Sequence, residues 1–409
     1  MTGSLPLEGT KVADFGQFIA GPAVGQMLSD LGASVVKVEP KDGEVSRRSG
    51  IYGLAMVRTN NRDKLGLAVD LRSPRGREVA ERLIADSDVV IQNMRPGAME
   101  RLSLGPAHAQ AINPAVVYLS ITGFGARAAP IRPGLDIAVQ AESGMMSVTG
   151  EAEGDPQKIG FTVVDAATAY AATSAVLAAL LRRSKTGQGA IIDTSLLEVA
   201  LHLQGANWVA WFTSGIEPTR SGNGQPYAAP AAELISVKDG KIVVSAYTPD
   251  HWQRLCNTVG RPELASDPLF CTNEARLQNR EQMRAILADS LGTLTQFQAV
   301  EMLSAGGIVA GAVRSYSQVM ESPDVERLQQ FYETEARGTG SYRYPALPFS
   351  IRGLERVKSR GAPAAGEDTR GVLAALGYDS TAVERLVVDG VVQDGSTGFI
   401  HDDHVREVR

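Results

Sequence analysis

Apolar positions along the first half of the chain alternate between strand-like runs and helix-like spacing. LEGTKVADFG (7–16) and ASVVKVEP (33–40) predict short buried strands, with AGPAVGQMLSDLG (20–32) between them as a helix stopped by Gly32. The unit recurs: SPRGREVAERLIADS opens on Ser73 and Pro74 as N-cap and first-turn proline, DVVIQNM follows as a strand, and PAVVYLSITGFG is another. Strands alternating with helices predict a mostly parallel sheet covered on both faces, hence an α/β first half. A long alanine-rich helix is expected over 165–183, then a basic turn, RRSKTGQG, a strand, AIIDTSL, and a helix through Trp211.

The pattern then changes. SGIEPTRSGNGQPYAAPAA (214–232) is rich in Gly, Pro and Ser and reads as a loop or linker. AELISVKDGKIVVSA predicts a hairpin turning on Asp239-Gly240, and the helical spacing of DHWQRLCNTVG and of 279–307 predicts a smaller domain. Past Tyr332 the chain returns to strand-and-loop character before a short helix and a polar tail.

With 409 residues the chain is long enough for several cores without disulfide or metal staples. Forty basic residues against 46 acidic ones give −6, which disfavours a nucleic-acid or membrane-surface partner while leaving room for a local basic pocket. Two cysteines, Cys256 and Cys271, fit a reducing compartment, and no basic-then-apolar leader is visible at the start, so a cytoplasmic location is expected. FTVVDAATAYAATSAVLAALL (161–181) has the length of a membrane span, but its alanine content and Asp165 favour a core helix.

Several chemistries find no support. HExxH, CxxC and GxxxxGK[ST] are absent, and His401-Asp402-Asp403-His404 reads as a solvated terminus, so no metal is expected. The glycines of the first strand-to-helix junction, Gly16 to Gly25, lack the GxGxxG spacing of a dinucleotide site. From Arg47 to Arg82, nine Arg and Lys face only four acids, extended by Arg95 and Arg101. This is either a phosphate-binding field or a solvated helix face with i,i+4 partners. Asp165 stands between an apolar run and a helix, where a carboxylate is expensive unless paired. It is expected either as an N-cap, kept ionised by backbone N–H donors, or as a base or nucleophile.

The order of segments resembles the class III CoA-transferase family, the group that includes formyl-CoA transferase and the carnitine CoA-transferases. The resemblance runs from about Leu5 to Val392 and rests on LEGTKVADFGQFIAGPAVGQMLSDLGASVVKVEP, NNRDKLGLAVDLRSPRG, QNMRPGAMERLSLG, LDIAVQAESGMMSVTG, DAATAYAATSAVLAALLRRSKTGQGAIIDTSLLE and SDPLFCTNEARLQNR. It implies a Rossmann-like large domain with a smaller α+β domain, in an interlocked homodimer. The implied boundaries are 1–205 for the first part of the large domain and 206–224 for a linker with a glycine-containing loop. The small domain follows at 225–330, a return segment completes the large domain at 331–394, and 395–409 is the tail.

By the same resemblance Asp165 is the catalytic carboxylate, moving CoA from an acyl-CoA donor to a carboxylic acid through aspartyl anhydride and aspartyl-CoA thioester intermediates. No cofactor is permanently bound; coenzyme A enters as part of the substrate. It is placed against Phe18, Val69, Arg72, Asn93, Met94 and Arg101, with Ile19, Gly222, Asn223 and Gly224 on the substrate and lid side. Pro40 replaces a basic residue of formyl-CoA transferase, Ile19 replaces its substrate-contacting glutamine, and Gly222-Asn223-Gly224 replaces a longer glycine run. These departures argue against formyl-CoA as donor. Two alternatives are an α-methylacyl-CoA racemase-like enzyme and a catalytically silent CoA-binding subunit. Gly134-Leu135-Asp136 puts leucine where a racemase needs a proton-transferring histidine.

Overall fold

A computed structural model describes residues 5–125, 132–225, 231–336, 340–354 and 359–395. The chain forms two compact units. One comprises Met1–Ser143, Ile159–Gly205 and Gln329–Arg409, the other Gly144–Lys158 and Ala206–Leu328. The polar tail beyond 395, with His401 and His404, lies outside the described residues.

The larger unit is built on β1 (Lys11–Asp14), β2 (Ser34–Glu39), β3 (Leu65–Val69), β4 (Val89–Gln92), β5 (Val117–Thr122) and β6 (Ala190–Ser195). These pair in parallel, in the order β3-β2-β1-β4-β5-β6, so the mixed α/β reading holds. β4 is buried at every position and β5 at all but its last, which is why these strands read as unbroken apolar runs. Their side chains pack with Phe15, Leu67, Val79 and Ile84, and with Val372, Leu373 and Leu386 from the end of the chain, into one core.

The smaller unit has an antiparallel sheet of β7 (Ala231–Val237), β8 (Gly240–Ala246) and β9 (Val309–Ala312). The Pro249–Thr258, Arg280–Leu291 and Gln296–Ala305 helices cover it, around Trp252, Phe270 and Leu287. The predicted hairpin forms, but its turn is one residue off. Val237 pairs with Gly240, leaving Lys238 and Asp239 as the connection. Gly240 serves a close approach instead of a turn angle, since a Cβ there would stand 2.8 Å from the Gln296 side chain. Back in the larger unit, the chain makes a hairpin of β10 (Phe331–Ala336) and β11 (Gly340–Pro345). It ends in β12 (Val392–Gln393), antiparallel on the outer edge of β3.

The long helix differs from expectation in two ways. It runs Val163–Thr186, so the basic residues expected in a turn, Arg183 and Lys185, form its last turn, where cations complement the helix dipole. Gly187, at φ +69°, stops it. Nor is it a wholly buried core helix. Val164, Thr168, Ala169, Ala172, Thr173, Val176 and Ala179 are buried, whereas Tyr170 and Leu181 are exposed.

Candidate active site

In an open parallel sheet, ligands bind beyond the carboxyl ends of the strands where the strand order reverses. Here that point lies between β1 and β4. The turn after β1 and the loop after β4 are tied by both polar atoms of Asn93. Its Oδ1 accepts from Gln17 N at 2.7 Å, and its Nδ2 donates to Gln17 O at 2.8 Å. Gly21 fits because a Cβ there would stand 3.0 Å from Gly16 Cα and 3.1 Å from Asn93 Cγ. Phe18 sits at φ +62°, which bulky L-residues avoid, and its ring is exposed. Ile19 follows, half-buried, at the start of the Ala20–Asp30 helix.

Of the other sequence-read CoA residues, Met94 is half-buried with its N–H on Gln92 Oε1 at 2.8 Å. Val69 is 1 % exposed and packs in the core, so only its backbone is available at this edge. Arg72 and Arg101 are exposed. The basic stretch splits in two. Arg47 grips Glu39 with two bonds of 2.7 Å, Arg62 pairs with Asp30 and Lys64 with Asp14, all largely buried. Arg75 and Arg82 pair on the surface with Asp389 and Glu78. Among the described residues Arg72, Arg95 and Arg101 have no ion-pair partner. Among the same residues Arg48 and Arg77 also lack an ion pair but donate to the carbonyls of Asp42 and Arg72, and Arg58 stacks on Tyr342, so the phosphate-binding expectation contracts to Arg72, Arg95 and Arg101.

Asp165 lies in the first turn of the Val163–Thr186 helix, half-buried. It is not the N-cap, and the expectation that backbone donors keep it ionised is overturned. Asp136, at the start of the Asp136–Glu142 helix, takes those donors instead: its Oδ2 accepts from Val164 N at 2.8 Å and Asp165 N at 3.1 Å. Gln140 holds its Oδ1. Asp165 thus has desolvation, a like charge nearby and no compensating hydrogen bond among the described residues. Burial, helped by Asp136, pushes it up to about 7. A carboxylate in that state is more basic and less solvated than an ordinary aspartate, which suits a nucleophile.

A model of CoA-transferase family III matches residues 7–369. The chain belongs to this family. It is 35 % identical over 385 residues to a probable fatty acyl-CoA transferase of Mycobacterium tuberculosis, covering 90 % of this chain and 98 % of that one. It is 31 % identical over 384 residues to a succinate–glutarate CoA-transferase of Agrobacterium fabrum, covering 91 % and 96 %. A crystal structure of a CAIB/BAIF family protein from Brucella suis superposes with a TM-score of 0.82 at 31 % identity, covering 91 % of this chain and all of that one. The chain is accordingly an acyl-CoA:carboxylate CoA-transferase, for which acyl-CoA is substrate.

In this CoA-transferase the glycine-containing loop belongs to the smaller unit and is latched there. Gly222 N donates to Gly150 O at 3.0 Å. Arg220 reaches the carbonyls of Glu151, Ala152 and Gly154 at 3.1, 3.3 and 2.9 Å. Asn223 touches Glu151 at 3.5 Å, and Arg280 holds Ser221 O at 2.9 Å. Gly222 favours glycine by its backbone, with φ at +66°, and a Cβ there would press only on the movable end of the Glu151 side chain. The 150–154 turn and Arg220 as its latch were missed in the sequence. Among the described residues no cluster of three His, Cys, Asp or Glu side chains is placed to hold a metal.

Proposed function

We propose that the enzyme transfers CoA from a short acyl-CoA, succinyl-CoA in type, to a second carboxylic acid, with Asp165 as the covalent carrier. One observation bears most of the weight: Asp165 is a carboxylate raised to about 7, beside Asp136, at the head of a helix. Asp165 oxygen attacks the donor thioester carbonyl, the C–S bond breaks, and CoA thiolate leaves an aspartyl–acyl anhydride. The thiolate attacks the aspartyl carbonyl, expelling the donor acid and leaving aspartyl-CoA thioester. The acceptor carboxylate attacks that carbonyl, releasing thiolate and forming a second anhydride. Thiolate then takes the acceptor acyl group, and Asp165 returns as carboxylate. No water enters the balance, so exclusion of water is the protein's main task.

Phe18, Asn93 and Met94 at the sheet edge, with Arg72 and Arg101 beyond it, are our reading of the CoA site; Gly222, Asn223 and Gly224 are that of the lid. The succinate–glutarate relative supports a dicarboxylate exchange. The strand order of the parallel sheet supports a Rossmann-like large domain. Exposed Phe161, Tyr170, Leu181, Val209 and Phe212 support a homodimer that covers them, interlocked as in the family resemblance. Unpaired Cys256 and Cys271 support a cytoplasmic location.

The test is incubation with acetyl-, succinyl- and short branched acyl-CoAs, a hydroxylamine quench, and peptide mapping by mass spectrometry. A hydroxamate on the peptide carrying Asp165 is expected with a productive donor. Adduct on another residue, or none while CoA transfer proceeds, overturns the reading.

A further inference from the structure

Six backbone atoms of the Gly16–Pro22 turn are held by side chains outside it. Asp14 Oδ1 accepts from Gly16 N at 2.8 Å, and Lys37 Nζ donates to Gly16 O. Asn93 takes Gln17 N and O, as above. Glu44 Oε2 accepts from Phe18 N at 3.2 Å, and Lys64 Nζ donates to Pro22 O at 2.8 Å. The charged members also pair with one another. Lys64 Nζ lies 2.6 Å from Asp14 Oδ2, and Lys37 Nζ 3.3 Å from Glu44 Oε2, with all four side chains at 0–1 % exposure. No slack remains beneath the turn: a Cβ on Gly25 would stand 2.7 Å from Asp14 Oδ2 and 3.0 Å from Lys64 Nζ.

Buried ion pairs of this kind add little stability over an apolar packing of the same shape. What they supply here is fixed geometry at backbone atoms, including the amide of Phe18, whose φ of +62° needs outside support. Burial alone would depress Lys37, yet Glu44, Asp14 and Glu39 outweigh it and hold its ammonium above the usual lysine range. Burial of Lys64 dominates over Asp14 and brings it down to about 8.

We infer that Lys64, Asp14, Lys37 and Glu44 are positioning residues that fix the Gly16–Pro22 turn, and with it Phe18, in the form that receives the acyl-CoA. This rests on reading the carboxyl edge of the sheet as the CoA site. The residues act through the turn and touch no reacting atom.

The test compares wild type with Lys64→Met, which keeps the length of the side chain and removes its charge, and with the gentler Glu44→Gln. Hydrogen exchange of the backbone amides over 15–23 is measured in the free enzyme, alongside KM for acyl-CoA and for the acceptor acid. Exchange in the turn is expected to speed up, and KM for acyl-CoA to rise about tenfold, with acceptor KM within about twofold. Folded variants in which acyl-CoA KM stays put, or in which both KM values and kcat fall off together, overturn the inference. If Lys64→Met does not fold, Glu44→Gln decides alone. An Arg72→Gln/Arg101→Gln double variant separates the two layers. Should its acyl-CoA KM rise while the positioning variants stay unmoved, only this inference fails. If it too leaves acyl-CoA KM unchanged, the reading of the CoA site fails.

Discussion

Asp165→Asn is expected to abolish transfer and, above neutral pH, to make the protein more stable. The rise from the ordinary 3.8 to about 7 corresponds to about 4 kcal/mol of preference for the neutral carboxyl at 1.36 kcal/mol per tenfold. Because the group is half-buried, solvent screening cuts the usable part to about 2 kcal/mol. The sign follows from proton binding. Between pH 3.8 and about 7 the folded chain holds a proton the unfolded chain has lost, so stability falls as pH rises through that window and is constant above it. Asparagine removes this loss. The difference in melting temperature, variant minus wild type, should therefore grow from pH 4 to pH 7 and level off at about 2–3 °C for a chain of this length. Paired thermal melts at half-unit pH steps measure it. A difference that does not vary with pH refutes the desolvated, Asp136-facing carboxyl, whatever the activity of the variant.

Wild-type kcat/KM for acyl-CoA should climb as pH rises through about 7, since only ionised Asp165 attacks, while Asp136→Asn should move that limb to lower pH. It should not restore 3.8, because burial, the larger cause, remains; initial rates across pH 5–9 decide. Neutralising Arg72 and Arg101 to Gln should weaken binding of CoA about tenfold and flatten its salt dependence, measured by titration at two ionic strengths. Arg220→Ala unlatches the glycine loop from three carbonyls and should raise acyl-CoA hydrolysis relative to transfer, read as free CoA released without acceptor. Gly222→Ala should cost about 1 kcal/mol or more of stability from its φ alone, seen in the melting transition.

The parallel sheet was legible because strands buried on both faces are written as unbroken apolar runs, VVIQ and VYLSIT above all. Asp165 could be located at the head of its helix for a similar reason: apolar run, carboxylate, alanine-rich repeat. Its protonation could not be read. The donors that would have kept it charged go to Asp136, 29 residues earlier, and no local pattern says which of two acids wins a helix end. The basic stretch misled for the same reason, since charge counts say nothing of partners: Arg47, Arg62 and Lys64 spend their charge on Glu39, Asp30 and Asp14. Gly240 looked like a turn residue, as its dipeptide suggested, until Gln296 was seen to lie against it.

The last strand also sets a timetable. β12 lies on the open edge of β3, Lys41 Nζ donates to Gly390 O across 349 residues of sequence, and Arg75 pairs with Asp389. At about 5–20 residues per second, a ribosome needs roughly 20–60 s after finishing β3 to deliver the strand that closes it. For that interval the nascent sheet presents unpaired backbone on one side and a core without Leu373 and Leu386. The smaller unit, formed by 144–158 and 206–328, is fully synthesised during the wait and has every partner it needs at hand. Inside the cell the larger unit is thus begun first and completed last, so chains cut short between β9 and β12 leave an exposed sheet edge for chaperones to cover.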